Sequence, residues 1–443
     1  MNKLILSGYT RNNNRGIHIL SYDSEKLHQE LNKSNQETDK PNLNISGLDK
    51  EIAKLNIVID ELGNETDQIS LYTSKSNQEK KRVNDVVFFT EEYFIEEESP
   101  TFIAVDVDED QILAVSARGN GGVSLYKKEE SCYVLKDEYL EMGSSPCHLF
   151  FDDERRLLYS SNYHKGRLDI FSVGKESLKH TQCMKFEGKS IISPDQDSSR
   201  IHMAIMDEYN QNLIVCDLGD DKVYILKIGN DGSAEIGGYF STDPGFGPRH
   251  ITYGKKEDVY YLIGELSSEI YVLGYDRNEM KFELIQKISS LPEQMTKKES
   301  HIAEESYQQN TEISNVANEK VSDVLKSDIS HEIDVKNTAA AIKICSDGRF
   351  LYASNRGYDI ITVYRIQDDG RIEFLGFEKT YGKTPRDFNF IGEDYILVGH
   401  QNEDYCTILS RNRENGRLKY TGKRIDFSEI VCVLNACFIA GLS

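Results

Sequence analysis

The segments PTFIAVDVDEDQILAVSARGNGGVSLY, PCHLFFDDERRLLYSSNYHKGRLDIF, PRHITYGKKEDVYYLIGELSSEIYVLGY and PRDFNFIGEDYILVGHQNEDYCTIL follow one template. Each reads as a short strand, an acidic or Gly turn, a second strand, a polar corner and a third strand. IHMAIMDEYNQNLIVCDLGDDKVYIL and AIKICSDGRFLYASNRGYDIITVY fit without the leading proline, and the amino-terminal KLILSGYTRNNNRGIHILSY is a shortened copy. A further alternating segment between copies, such as FELIQKISSL, supplies a fourth strand. Four-stranded units recurring at roughly 45–55 residues are the pattern of propeller blades. The expected fold is all-β, a seven-bladed β-propeller of four-stranded antiparallel blades. The amino-terminal copy lacks its first strand, while EIVCVLNACFI near the carboxyl end is an apolar strand with no blade of its own. Pairing the two would close the ring and remove an open sheet edge.

Proline placement supports this reading. Of only eight prolines, Pro100, Pro146, Pro248 and Pro385 each stand just before the first strand of a copy. Proline has no amide proton for a ladder, so the start of a strand is one of the few places it fits. In a propeller the first strand is innermost, so Arg249 and Arg386, each directly after such a proline, are expected at the mouth of the central channel.

Two stretches interrupt the rhythm, at about 28–92 and 293–338. Both are rich in Glu, Lys, Ser and Asn and carry too little apolar surface to fold alone, so they read as surface insertions in one propeller spanning 1–443. Within the first, GLDKEIAKLNIVIDELG could form a short helix.

The formal charge of −22 excludes nucleic acid and anionic membrane as expected partners, since neither phosphate array would be attracted. It leaves room for a small anionic ligand, which feels local arginines more than net charge. No run approaches the ~18 apolar residues of a membrane span, and the apolar part of MNKLILSGYTRNNNRG is too short for a secretory signal. Eight cysteines without a CxxC pair indicate a reduced, cytoplasmic protein without structural zinc. GNGG at 119–122 lies between strands and lacks a Walker lysine, and there is no GxSxG elbow or HExxH. Neither a metal nor a cofactor is expected.

The corners SPCHL, SNYHKGRLDIF, CDLGDDKVYIL, GFGPRHITY, GELSSEIYVLGYD, SDGRFLYASNRGYDIITVY and GKTPRDFNF resemble, in order and spacing, the lactonase family of seven-bladed propellers. That family includes propeller-type 6-phosphogluconolactonases and carboxymuconate cyclases, and the resemblance covers everything but the two insertions. It implies a site of His202, Arg249, Glu265 and Arg356, with Arg386, His250, Asn355 and Arg200 as substrate-binding candidates. SRIH stands here where the family has a PHxH-like motif, so Ser199 and Arg200 replace its proline and first histidine.

The resemblance implies hydrolysis of a sugar lactone, with 6-phosphogluconolactone of the oxidative pentose phosphate route as the leading substrate. Arginines would hold the anion and the tetrahedral oxyanion, Glu265 would take a proton from water, and His202 would relay it. Two other readings stay open: a carboxymuconate-type cyclase, and a non-catalytic binding propeller. Each residue also has a quieter explanation. Arg249 could salt-bridge a strand end, Arg356 could brace its corner, and His202 could be a structural histidine. Asn162 and Asp217 read as turn-formers. A monomer or weak homodimer is expected.

Overall fold

The computed structural model describes residues 2–38, 89–229, 231–293, 295 and 336–435. Its strands form seven four-stranded antiparallel sheets. Six are built from consecutive strands within 103–140, 148–185, 201–241, 248–289, 338–379 and 385–425, and are called blades one to six. The seventh is assembled from both ends of the chain. Ile430–Asn435 pairs with Asn2–Gly8, followed outward by Gly16–Tyr22 and Thr90–Glu96. Leu4 lies opposite Asn435 and Leu6 opposite Val433. The ring closure expected from the spare carboxyl-terminal strand is therefore present.

Burial explains the order of strands within a blade. The second strands, such as Val259–Gly264 and Asn212–Asp217, are buried at every residue because blades pack on both of their faces. Fourth strands such as Leu178–Lys185 alternate between covered and exposed residues, as a rim strand with one wet face must. The apolar clusters straddle neighbouring blades. Tyr159 and Leu168 of blade two pack with Leu213 and Tyr224 of blade three, and Tyr261 and Ile263 of blade four with Leu351 and Tyr364 of blade five. The first strands pack against one another around the axis.

The chain divides into two compact units, one of residues 2–21 and 91–443 and one centred on 22–90. In the second unit a helix, Ser24–Thr38, starts after Asp23, whose Oδ1 accepts the amides of Glu25 and Lys26 at 2.9 and 3.1 Å. The strand Gly16–Tyr22 and the rim strand Thr90–Glu96 flank the first polar stretch, expected at about 28–92. The expected helix GLDKEIAKLNIVIDELG lies outside the described residues. Blade five begins at Thr338, the last residue assigned to the second insertion.

Ring closure gives the first testable expectation. The Val433 amide donates to Asp387 Oδ2 of blade six at 2.8 Å, so this one residue ties both the closing pair and the adjacent blade. Val433→Pro, which removes this donor to a carboxylate, should cost about 1.5–3 kcal/mol beyond the buried-methyl loss measured with Val433→Ala. Equal unfolding midpoints for the two variants in urea would show that the closing strand is dispensable.

Candidate active site

A repeated irregularity in the innermost strands positions the site. In blade three the ladder skips between Ile201 and Met203, in blade four between Pro248 and His250, and in blade six between Pro385 and Asp387. The extra residues are His202, Arg249 and Arg386. A bulge adds one residue to one strand only and re-aims its side chain. Three of the candidate residues therefore occupy one structural slot, repeated around the ring. Thr101 and Cys147 hold the corresponding place after Pro100 and Pro146. Glu265 and Arg356 come from a second repeated position, at the end of the second strand in blades four and five. The Glu265 amide is held by Gly247 O at 2.8 Å, and its carbonyl accepts the Ala339 amide of the next blade at 3.0 Å.

Glu265 is the hub. Its Oε2 accepts from Arg249 Nε at 2.8 Å, and its Oε1 pairs with Arg356 Nη2 at 2.9 Å. His202 Nε2 lies 3.8 Å from Oε2. The Arg249 side chain is only 2% exposed, with Nη1 donating to Ala340 O at 2.7 Å and contacting the His250 ring. The acceptor Ala340 belongs to the fully buried run Ala339–Ala341 of the first strand of blade five. Arg356 Nη2 also donates to Ala339 O at 2.9 Å, while its Nε is buried with no partner among the described residues.

The electrostatics follow from this packing. Burial alone would raise the Glu265 carboxyl, but Arg356, then Arg249, His202 and Arg386 overcome it and hold it well below the usual carboxylate range. Burial lowers the Arg249 guanidinium, and Glu265 opposes that. Burial, followed by the Arg249 charge, pushes both His202 and His250 well below the ordinary imidazole value. The site thus holds an ionised carboxylate, charged guanidinium groups and neutral imidazoles at neutral pH.

A pocket of about 460 Å³ opens over this cluster, lined among others by Glu265, His202, Arg386, Cys147, Tyr163 and Arg11. That size suits a small molecule. Among the sequence-derived candidates, Glu265, His202 and Arg386 reach the pocket, and Arg249 and Arg356 stand behind Glu265. Three others sit elsewhere. Asn355 is fully buried, its amide donating to Ser290 O at 2.9 Å and its Oδ1 accepting from Ser290 Oγ at 2.8 Å, so it braces a blade instead of facing a ligand. Arg200 reaches towards Asp195 O and His164 O and stacks on the Tyr163 ring at 5.2 Å. His250 lies deeper in the channel, its ring 5.2 Å from that of His202 and 6.1 Å from that of His148. Asn162 and Asp217 do shape turns, the latter accepting the amides of Arg200 and Gly219 at 2.7 and 3.0 Å. Among the described residues no group of three or more His, Cys, Asp or Glu could hold a metal ion.

Sequence reasoning missed Tyr163, Tyr9, Cys147 and Arg11. Tyr163 and Tyr9 occupy the position of Glu265 in their own blades, each directly after a second strand. Cys147 occupies that of Arg249. Aligning the corners by position rather than by charge would have marked all three.

Two aspartates register the arginine-bearing strands. Asp221, in a turn of blade three, accepts the amides of Gly245 and Gly247 at 2.6 and 2.7 Å and Gln196 Nε2 at 2.8 Å. Asp359, in blade five, accepts the amide of Thr384 at 2.8 Å. Gly247 and Thr384 each precede a Pro-Arg pair and each has positive φ, +68° and +58°. That conformation costs a β-branched residue such as threonine steric strain. In both places a carboxylate in one blade fixes the backbone from which the next blade's arginine projects.

Residues 63–435 match the family model described as Lactonase, 7-bladed beta-propeller. An uncharacterized protein of Lactococcus lactis subsp. cremoris is 32% identical over 341 residues, covering 76% of this chain and 88% of that protein. The Bacillus subtilis protein named 6-phosphogluconolactonase is 28% identical over 342 residues, covering 76% of this chain and 86% of its own length. A solved structure of a Lactobacillus plantarum protein superposes with a TM-score of 0.71 at 23% identity, covering 98% of this chain and 99% of the other, and shares the fold.

Two measurements test this architecture. Asp221→Ala strips acceptors from two amides, and each charge-assisted bond is worth about 1.5–3 kcal/mol, so urea unfolding should show a loss of at least 2 kcal/mol. An unchanged midpoint would mean the turn is held by other contacts. Burial, with Arg249 and Lys343, lowers the channel residue His148 to about 3. The unfolded chain then takes up the proton first, so the stability that this histidine supplies above about pH 6.5 is lost as pH falls, amounting to about 2 kcal/mol at pH 5. Replacing it by glutamine should flatten the fall in stability between pH 7 and 5 by that amount. Parallel profiles for the two proteins would place the proton uptake on other groups.

Proposed function

This chain belongs to the lactonase family of seven-bladed β-propellers, and we propose that it hydrolyses a phosphorylated sugar lactone, 6-phosphogluconolactone being the leading substrate. The observation carrying this reading is the arrangement beneath the pocket: Glu265 clasped by Arg249 and Arg356, with the neutral imidazole of His202 beside it. The name of the Bacillus subtilis relative supports the same substrate.

Hydrolysis of a lactone needs a water relieved of its proton, a stabilised tetrahedral oxyanion and a protonated leaving oxygen. Glu265 is a weak base here, because two guanidinium groups hold it ionised. His202 is assigned as the acceptor: burial and the Arg249 charge keep its imidazole unprotonated, and the imidazolium formed during the reaction would be steadied by the Glu265 carboxylate beside it. In this reading water attacks the lactone carbonyl carbon as His202 takes its proton. The developing oxyanion is stabilised by the positive field of Arg249 and Arg356, and collapse breaks the bond to the ring oxygen, which receives the proton from His202. Glu265 passes from the base of the sequence expectation to the anion that orients both arginines and steadies the imidazolium. The pH dependence follows from the same groups. His202 stays available as a base through neutrality, and activity fails on the acid side as it becomes protonated.

A cytoplasmic place in the oxidative pentose phosphate route fits the cysteines: all seven described ones are free thiols, with Cys132 and Cys183 exposed. Purified protein should accelerate the loss of freshly generated 6-phosphogluconolactone above the buffer rate. His202→Asn should lower kcat about 10²–10⁴-fold with an unchanged far-ultraviolet spectrum. Glu265→Gln should lose both activity and stability, since it uncovers two buried guanidinium groups. If a panel of sugar and muconate lactones shows turnover only of the muconate, the cyclase reading replaces this one; if none reacts, a binding propeller does.

A further inference from the structure

We propose that Arg11 and Arg386, joined through Gln401, form the subsite for the phosphate group of the lactone, so that the phosphate lies on the wall made by blades six and seven while the ester lies against His202 and Glu265. This deepens the hydrolase reading and rests on it. Arg386 lines the pocket, and its one polar contact among the described residues is to the neutral amide oxygen of Gln401, 3.4 Å from Nη1. Arg11 follows the first strand of the chain, in the corner of the ring-closing blade. Its Nη2 reaches the main-chain oxygen of the same Gln401 at 3.4 Å, which brings both guanidinium groups to one residue.

Arg11 is aimed as well as charged. Its Nε donates to Glu429 Oε1 at 2.9 Å, and its guanidinium stacks over the Tyr9 ring at 4.3 Å. Glu429 is itself fixed, being 3% exposed, with Oε2 accepting the Asn12 amide at 2.9 Å. The Arg11 side chain stays 51% exposed, so part of its fork remains available at the pocket mouth.

Charge bookkeeping selects the ligand. Of the four guanidinium groups, Arg249 and Arg356 share Glu265, Arg11 is paired with Glu429, and Arg386 has no carboxylate partner among the described residues. Glu403 and Asp404 line the adjoining cleft on the far side of Arg11. Arg11 is balanced by Glu429, so the surplus lies with Arg386 and with the Glu265 clasp, where two guanidinium groups share one carboxylate. A phosphomonoester dianion matches both the charge and the two forks, because guanidinium groups bond phosphate oxygens in pairs. Thr101 and Ser144 line the same pocket and add hydroxyl groups suited to the remaining oxygens, while those of Ser99 and Ser145 bond Thr10 and Ser116 O.

The test compares two substrates and two products. For wild type, Arg11→Gln and Arg386→Gln, the ratio of kcat/KM for 6-phosphogluconolactone to that for glucono-δ-lactone is measured. Each variant should lower this ratio about 10- to 100-fold, the worth of a hydrogen bond to a charged group. Glutamine at position 11 keeps a donor for Glu429, and thermal unfolding checks that both variants fold. A ratio unchanged in both variants, whether the rates fall together or hold, overturns the subsite. Calorimetric binding of 6-phosphogluconate and gluconate, with inorganic phosphate as competitor, needs no turnover. If wild type hydrolyses neither lactone, the hydrolase reading fails alone: tighter binding of 6-phosphogluconate that Arg11→Gln abolishes still upholds the subsite, and equal binding of the two acids removes it. Inorganic phosphate that displaces 6-phosphogluconate supports a site for the phosphate group itself, whereas failure to compete counts against it.

Discussion

The antiparallel pairing of residues 2–8 with 430–435 is the constraint on which everything else depends. Six sheets of this chain are built from consecutive strands, and none can bury both faces alone. The seventh exists only when the two ends meet. Closing it removes the free edges that an open array would expose, and it turns a row of sheets into a ring whose first strands share one axis. His202, Arg249, Glu265, Arg356 and Arg386 then converge although they are spread over some 185 positions of sequence.

Convergence creates an electrostatic problem that the fold solves locally. A guanidinium as buried as Arg249 needs an anion and acceptors at short range. Glu265 and Ala340 O supply charge and hydrogen bonding. Glu265 then cannot satisfy a further cation, so Arg386 is left facing the pocket without a carboxylate partner among the described residues. A chain with a net charge of −22 can in this way present a basic pocket, because within a partly buried cleft near charges dominate distant, screened ones.

Much of this was readable from particular residues. Pro248-Arg249 and Pro385-Arg386 announced themselves, since proline marks the start of an innermost strand and the next residue falls in the bulge. The copy count exposed the missing strand at one end and the spare strand at the other. Position-specific chemistry was harder to read. Asn355 adjoins Arg356 in sequence, yet in a strand neighbouring side chains point to opposite faces, and it was drawn into the blade interior. Arg200 lies two residues from His202 but stacks on Tyr163 instead. Arg11 gave no signal, because it belongs to a shortened copy whose blade is completed only by the far end of the chain.

The sequence by itself determined the repeat, the alternation that makes each segment a strand, and the residue types at the corners, because these are local properties written at fixed spacing. Tertiary structure alone decided the states of those residues: an ionised Glu265, a neutral His202, a fully enclosed Arg249 and an Arg386 left open to the pocket. The reason is that ionisation and exposure depend on what other blades bring within a few ångströms, and that set of neighbours does not exist until the ring is closed.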